Sequence, residues 1–261
     1  MLQYIRYTFG TFQQRKMRSV LTMVGIFIGI ALIVTLISLG QGLQSSITQQ
    51  FQNMGTDKII ISPTGSLFGV GQSGITLTDK DVDTVKKTPG IETVTGMSYK
   101  LAKVKYKDET KYTWVIGLPT DESGKMIFGI QNFKIVEGRD FQTSDKYAAL
   151  IGLRLYEQDL FSKAVSLRDK IEIEGQEFRV VGEIGKIGNP QDDSQVYIPL
   201  DVLTSILGGE KKYDIIFAQV SDESRVDEIA NSVKKELRKE RNVEEGEEDF
   251  TVQTVSQLVD A

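Results

Sequence analysis

One stretch limits what this chain can fold into more than any other. From Ser19 to Thr56 there is no charged side chain, and Asp57 is the first acidic residue in the protein. Within it, residues 20–39 (VLTMVGIFIGIALIVTLISL), bounded by Val20 and Leu39, are apolar apart from Thr22, Thr35, Ser38 and the glycines Gly25 and Gly29. At about 1.5 Å per residue, a helix of that length is roughly 30 Å long, the thickness of a bilayer's hydrocarbon core. Threonine and serine hydroxyls bond back to their own helix and glycine is common in membrane spans, so neither interrupts the pattern. The stretch predicts a transmembrane helix.

Two other readings compete with it. A buried core helix is usually shorter, carries charge and has caps near the ends of its apolar run. A cleaved signal peptide has an apolar core of about 7–15 residues, shorter than this one. Ser38-Leu39-Gly40 does form a small-x-small site, but no cysteine follows that would take a lipoprotein anchor. The uncleaved span accounts for more of the pattern.

Charge orients the span. Of the 31 basic residues, Arg6, Arg15, Lys16 and Arg18 precede it, and none of the 36 acidic ones does. The rest of the chain therefore carries 27 basic against 36 acidic groups, a net charge of −9. Short basic flanks stay in the cytoplasm, which places the N-terminus inside and the main domain outside. An acidic exterior disfavours nucleic acid, whose phosphates need a basic face. The roughly two hundred residues that remain suffice for one large or two small domains with real cores.

Cysteine and histidine are both absent. Disulfides are ruled out, zinc and copper lose their usual ligands, and no Ser-His or Cys-His nucleophile can be assembled. No catalytic residue, cofactor or metal site is expected, and the inventory leans away from an enzyme.

Ahead of the span, residues 1–18 place Leu2, Ile5, Phe9 and Phe12 at helical spacing opposite polar and basic residues, reading as an amphipathic cytoplasmic segment. A disordered basic flank is the plainer alternative. After the span, Leu43, Ile47, Phe51 and Met54 recur on one helix face, with Gly55 as a stop. Residues 19–56 thus read as span plus stalk. A lone amphipathic stalk is marginal in water and calls for a partner to pack against.

The remainder alternates strands and helices in an α+β pattern. A strand over 58–62 leads through a Gly- and Ser-rich loop to Thr78 and Asp81, a capping box for a helix ending before Pro89-Gly90. Strands follow at 91–98, 101–106 and 111–117, with a turn at Asp108-Glu109. Further strands are expected near 133–141 and 148–152, a helix at 153–160, a hairpin at 170–183, an edge-like strand at 196–199 and a helix at 201–207. The end repeats the opening: strand 214–220, helix 223–238 and strand 250–254. Two β-α-β units, 57–100 and 210–255, can pair into a ferredoxin-like layer with a β-rich lobe, 101–209, inserted between them. Residues 256–261 begin a further helix, as though the chain were truncated there.

Motifs that suggest chemistry fail on context. Gly69-Val-Gly-Gln-Ser-Gly74 matches G-x-G-x-x-G, but no strand runs directly into it and no helix directly out. Gly182 to Ile187 lacks Walker spacing. Asp79-x-Asp81-x-Asp83 lacks the glycine and glutamate of a calcium loop and reads as a first helical turn. Asp192-Asp193, Glu244-Glu245 and the charge run 234–249 read as solvated groups.

Several strings together resemble one family: Arg18-Ser-Val-Leu-Thr-Met-Val-Gly-Ile-Phe-Ile-Gly-Ile30, Ser38-Leu-Gly-Gln-Gly42, Met54-Gly-Thr-Asp-Lys-Ile-Ile-Ile-Ser-Pro63, Glu137-Gly-Arg-Asp-Phe141, the hairpin 169–182, and Val196-Tyr-Ile-Pro-Leu200. In order and spacing they resemble the MacB/FtsX-type, or mechanotransmission (type VII), ABC transporter permeases. The resemblance implies a first span followed by an extracytoplasmic domain with a porter-like lobe and an inserted Sabre-like lobe, then three further spans beyond this chain. It implies a permease subunit of a cell-membrane transporter that exports or extrudes a substrate. Its partners would be a separate ABC ATPase subunit that binds the ATP, a second permease in a homo- or heterodimer, and an extracytoplasmic adaptor. Arg15, Lys16 and Arg18 would face the ATPase or the lipid, and Leu43, Ile47, Phe51 and Met54 would pack on the partner stalk. The alternative is an FtsX-type anchored regulatory or binding module that moves no substrate, since one fold serves both.

Overall fold

The computed structural model describes residues 16–65, 75–207, 209 and 211–260; of 16, 45–54, 207 and 259–260 only the backbone is described. The chain divides after residue 50 into two compact units. The first carries most of helix α1 (Lys16–Met54), and Gly55, at φ +84°, supplies the left-handed residue that ends it.

In the second unit the chain runs through β1 (Lys58–Pro63), β2 (Leu77–Thr78), α2 (Asp79–Lys87), β3 (Ile91–Tyr106), β4 (Glu109–Leu118), α3 (Glu122–Ile130), β5 (Ile135–Gly138), β6 (Ala148–Ile151) and α4 (Leu153–Tyr156). It continues with β7 (Lys170–Ile173), β8 (Gln176–Ile184), β9 (Val196–Pro199), α5 (Leu200–Leu207), β10 (Lys212–Tyr213), β11 (Ile215–Val220), α6 (Val226–Arg241), β12 (Phe250–Thr254) and α7 (Val255–Asp260).

Four strands form an antiparallel sheet in the order β12-β1-β11-β3, the strand order of two interlocked β-α-β units. Strand side chains alternate between faces. Ile59 and Ile61 of β1 therefore turn towards α2 and α6, where they meet Val85, Val226, Ile229, Ala230, Val233 and Leu237. Ile60 turns the other way and packs with Met97, Phe217, Ile127 and Tyr197. Both faces are covered, which is why Ile59, Ile60 and Ile61 follow one another and every residue of β1 is buried.

The inserted segment closes on itself. β3 pairs with β4, β4 with β9, β9 with β6, β6 with β8, β8 with β7, and β7 returns to β3 through Val104↔Ile173. The ring is a small barrel. Its inward residues, among them Ala102, Val104, Val115, Ala149, Ile151, Ile171, Ile173, Phe178, Val180, Val196 and Ile198, form one core filled by side chains.

Four expectations are corrected. The strands at 91–98 and 101–106 are one strand: β3 pairs with β11 as far as Met97 and with β4 from Ser98 onwards. The strand at 196–199 is not an edge but lies between β4 and β6 with every residue buried. The helix expected at 153–160 is the single turn of α4, and α3 was not foreseen at all. The Asp192-Asp193 pair is not solvated. Asp193 is buried and its Oδ1 accepts the Ile187 N–H at 2.7 Å, while burial raises the pKa of Asp192.

Candidate functional site

The first candidate is α1 itself. Residues Met17–Gln44 form a helical segment long and apolar enough to cross a bilayer, and its most apolar stretch is not buried by protein. Its large side chains from Val20 to Leu39 are all more than two-fifths exposed, so the apolar surface needs lipid or other helices to cover it. Two of the span's hydroxyls bond back to their own helix: Thr22 Oγ1 donates to the Arg18 carbonyl at 2.9 Å and Thr35 Oγ1 to the Ala31 carbonyl at 2.7 Å. At Gly25 and Gly29 an added Cβ would meet nothing within 4 Å, so no contact among the described residues requires glycine there. The segment is a transmembrane helix.

The helix outruns the bilayer. At about 1.5 Å per residue its 39 residues extend nearly twice the thickness of a hydrocarbon core. Leu43, first of the stalk stripe, is 61% exposed. Ile47, Phe51 and Met54 lie on the helical backbone, but their side chains fall outside the described ones. Arg15 lies outside the described residues, as do residues 1–14 of the expected amphipathic segment. Lys16 opens α1 with its side chain undescribed, and Arg18 is exposed on the first turn. The Gly69–Gly74 loop is also outside the described residues, whereas Gly182 lies inside β8 and the Gly185 N–H is taken up by the Lys134 carbonyl.

Where the helix ends, the following residues are tied into the sheet. Thr56 donates to the Glu223 carboxylate, and the Asp57 carbonyl accepts the Val220 N–H at 3.0 Å. The Asp57 carboxylate takes Gln219 Nε2 at 2.7 Å and Lys58 Nζ at 2.5 Å. Burial works to raise the Asp57 pKa, but these donors outweigh it and hold the carboxyl below its ordinary value. This junction of Thr56, Asp57, Lys58, Gln219 and Glu223 was missed from sequence. Its partners lie some 160 positions apart in the chain, and Asp57, the first acid after a long neutral run, was its only local sign.

The buried charge elsewhere supports packing. Asp81, 1% exposed, receives the Thr78 N–H at 2.7 Å and Thr78 Oγ1 at 2.9 Å, closing the expected capping box. It also binds Arg241 Nη1 at 2.9 and 3.0 Å. That pairing, and not a calcium loop, accounts for the acid at position 81. Among the described residues no group of three or more His, Cys, Asp or Glu stands close enough to hold a metal ion.

The chain is similar to known proteins along most of its length. Residues 19–236 match the family model of the MacB-like periplasmic core domain. An uncharacterised ABC transporter permease of Methanocaldococcus jannaschii is 34% identical over 97% of this chain and 62% of its own length. The macrolide export ATP-binding/permease protein MacB of Bdellovibrio bacteriovorus is 28% identical over 93% of this chain and 38% of its own. The chain thus spans between about two-fifths and three-fifths of these relatives. Among solved structures, the periplasmic region of MacB from Actinobacillus actinomycetemcomitans superposes with a TM-score of 0.64 at 17% identity, covering 81% of this chain and 94% of that one. The extracellular domain of the noncanonic ABC-type transporter YknZ from Gram-positive bacteria does so with a TM-score of 0.58 at 19% identity, covering 76% and 100%. At those identities the likeness concerns the fold.

Proposed function

The chain belongs to the MacB-like periplasmic core domain family, and from that membership we propose that it is the membrane-anchored, domain-bearing part of an ABC transporter permease. In this reading its N-terminus is cytoplasmic, and a separate ATPase subunit binds and hydrolyses ATP. A second permease pairs with it, and movement of the outer domain drives export of a substrate. The observation that carries the reading is α1: one helix of 39 residues runs without a break from a basic flank through the apolar span to Gly55. An unbroken helix transmits displacement where a jointed one would absorb it, and the Thr56–Asp57 junction hands that displacement to β1 and β11.

In this reading Arg15, Lys16 and Arg18 meet the cytoplasmic ATPase or the inner lipid surface. In the same reading the sequence stripe of Leu43, Ile47, Phe51 and Met54 packs on the partner stalk.

The test is the complete permease reconstituted with its ATPase in proteoliposomes, comparing the parent with Ile47→Asp and Phe51→Asp. ATP turnover is expected to continue while ATP-dependent export falls at least tenfold, because one buried charge costs about that much or more in helix pairing. Export at the parent rate in both variants overturns the stalk assignment. ATP turnover that regulates a bound hydrolase with no transported substrate overturns export in favour of the regulatory alternative.

A further inference from the structure

Among the described residues outside α1, four large hydrophobic side chains are more than half exposed: Leu101, Tyr112, Val136 and Tyr147. Two of them share the β3–β4 hairpin. There Leu101 lies opposite Trp114, Lys103 opposite Tyr112 and Lys105 opposite Thr110. Alternate strand residues point to one face, so these side chains form the hairpin's outer face, while Ala102, Val104, Tyr106 and Val115 fill the barrel behind it. The outer face is a ladder of Leu101, Trp114 and Tyr112 beside exposed Lys103 and Lys105.

The charge of this hairpin runs against that of its domain. Residues 100–112 hold five lysines and two acids, in a part of the chain that is otherwise strongly acidic. Two of the nearby acids accept backbone N–H groups, and a third faces Lys105 across the ladder. Glu174 Oε1 accepts the Lys103 N–H at 2.7 Å, the Glu109 carboxylate accepts the Ser162 N–H at 3.2 Å, and Glu172 lies opposite Lys105.

Aromatic rings with a polar tip, an aliphatic anchor and snorkelling lysines are the chemistry of a bilayer's headgroup layer, where lysine finds anionic phosphates. A second copy docking through the same face would set lysine against lysine. A bilayer is also always present beside this chain, because α1 is anchored in it.

We propose that the outer face of the β3–β4 hairpin is a membrane-docking surface, with Leu101, Tyr112 and Trp114 entering the headgroup layer and Lys103 and Lys105 contacting anionic lipid phosphates. The proposal requires that α1 spans the membrane and is independent of the permease reading.

Trp114 is the chain's one tryptophan, so its emission reports this face alone. The full chain is placed in phosphatidylcholine nanodiscs with and without phosphatidylglycerol, the acyl chains carrying bromine. In the anionic discs Trp114 emission shifts to the blue and is quenched by bromine. High salt weakens both effects, since it shortens the range of charge attraction. The double substitution Lys103→Glu and Lys105→Glu removes them, and equal emission of parent and variant in detergent shows that the variant is folded. Emission that matches the detergent value and stays open to acrylamide overturns the proposal. So does protection from acrylamide without bromine quenching, which would mean that protein covers the face. Quenching that survives the double substitution overturns the role given to the lysines.

Discussion

Arg241 closes the last turn of α6 and reaches back to the first turn of α2, where it holds Asp81, while its other edge binds Asp249 with Nε at 2.8 Å from Oδ1. The Arg241 side chain is mostly buried and that of Asp81 almost wholly so, and removing one partner strands a charge in the interior. Arg241→Met is expected to destabilise the domain by about 3–5 kcal/mol, read from urea denaturation. The same residue sets a pH dependence. The Arg241 guanidinium holds the Asp249 carboxyl below its ordinary value. A carboxylate lowered on folding adds stability that is present above its unfolded pKa and lost as pH falls through the folded one. Melting temperatures of the parent should therefore drop below about pH 4, and those of Arg241→Met should drop less there. Thr95 works the other way. Its buried hydroxyl has no hydrogen-bond partner among the described residues, so Thr95→Val is expected to raise stability by about 1 kcal/mol.

Strand β3 carries the chain from one sheet into the barrel, and the switch of partners is held by Asp214. Its N–H donates to the Met97 carbonyl at 2.9 Å and its Oδ2 accepts the Tyr99 N–H at 2.7 Å, with Ser98 donating beside it to the Lys212 carbonyl. The side chain thus takes up a strand N–H where the ladder with β11 has ended. Burial raises the Asp214 pKa. A carboxyl raised on folding contributes stability at low pH that is lost as pH rises through its folded pKa, opposite in sign to Asp249. Asp214→Asn keeps the acceptor without the charge and is expected to stay within about 1 kcal/mol of the parent at neutral pH. Asp214→Leu orphans the Tyr99 N–H and should cost about 1–3 kcal/mol. The neighbouring Gly96 is needed for a different reason: a Cβ there would run into the Tyr213 ring, whose hydroxyl donates to Asp79 at 2.7 Å. None of this is marked locally, which is why β3 reads in sequence as two strands broken at Tyr99-Lys100. By contrast α1, α2, α6 and the β7–β8 hairpin were legible. Each carries its own period, and Glu174 and Gly175 both adopt the positive φ that a tight two-residue turn needs.

At the scale of the molecule the two cores of the second unit do not stand apart. Ile60, Met97, Ile215 and Phe217 from the sheet share a third core with Ile116, Leu118, Ile127, Leu150, Ile184 and Tyr197 from the insertion. Sheet and barrel should therefore unfold together. In urea titrations of the micelle-bound chain, Trp114 fluorescence and far-UV circular dichroism are expected to give one coincident transition. Two separated transitions would show that the barrel is independently stable. Tyr197 shows how such a core admits polar atoms: its buried hydroxyl donates to Gln195 Oε1 at 2.9 Å, and Gln195 Nε2 donates to Asp192.

Sequence alone determined the transmembrane helix, its unbroken continuation to Gly55, the α+β class and the ferredoxin-like pairing. All of these rest on charge-free length, hydrophobic period and turn chemistry, which are local and survive without knowledge of neighbours. Tertiary structure alone decided that the insertion closes into a barrel, that β9 is central, that Asp193 is buried, and that the helix exit is tied to Gln219 and Glu223. Those outcomes depend on which distant strands meet, and a four-residue run such as Val196–Pro199 looks the same at an edge as between two partners until both partners are in place.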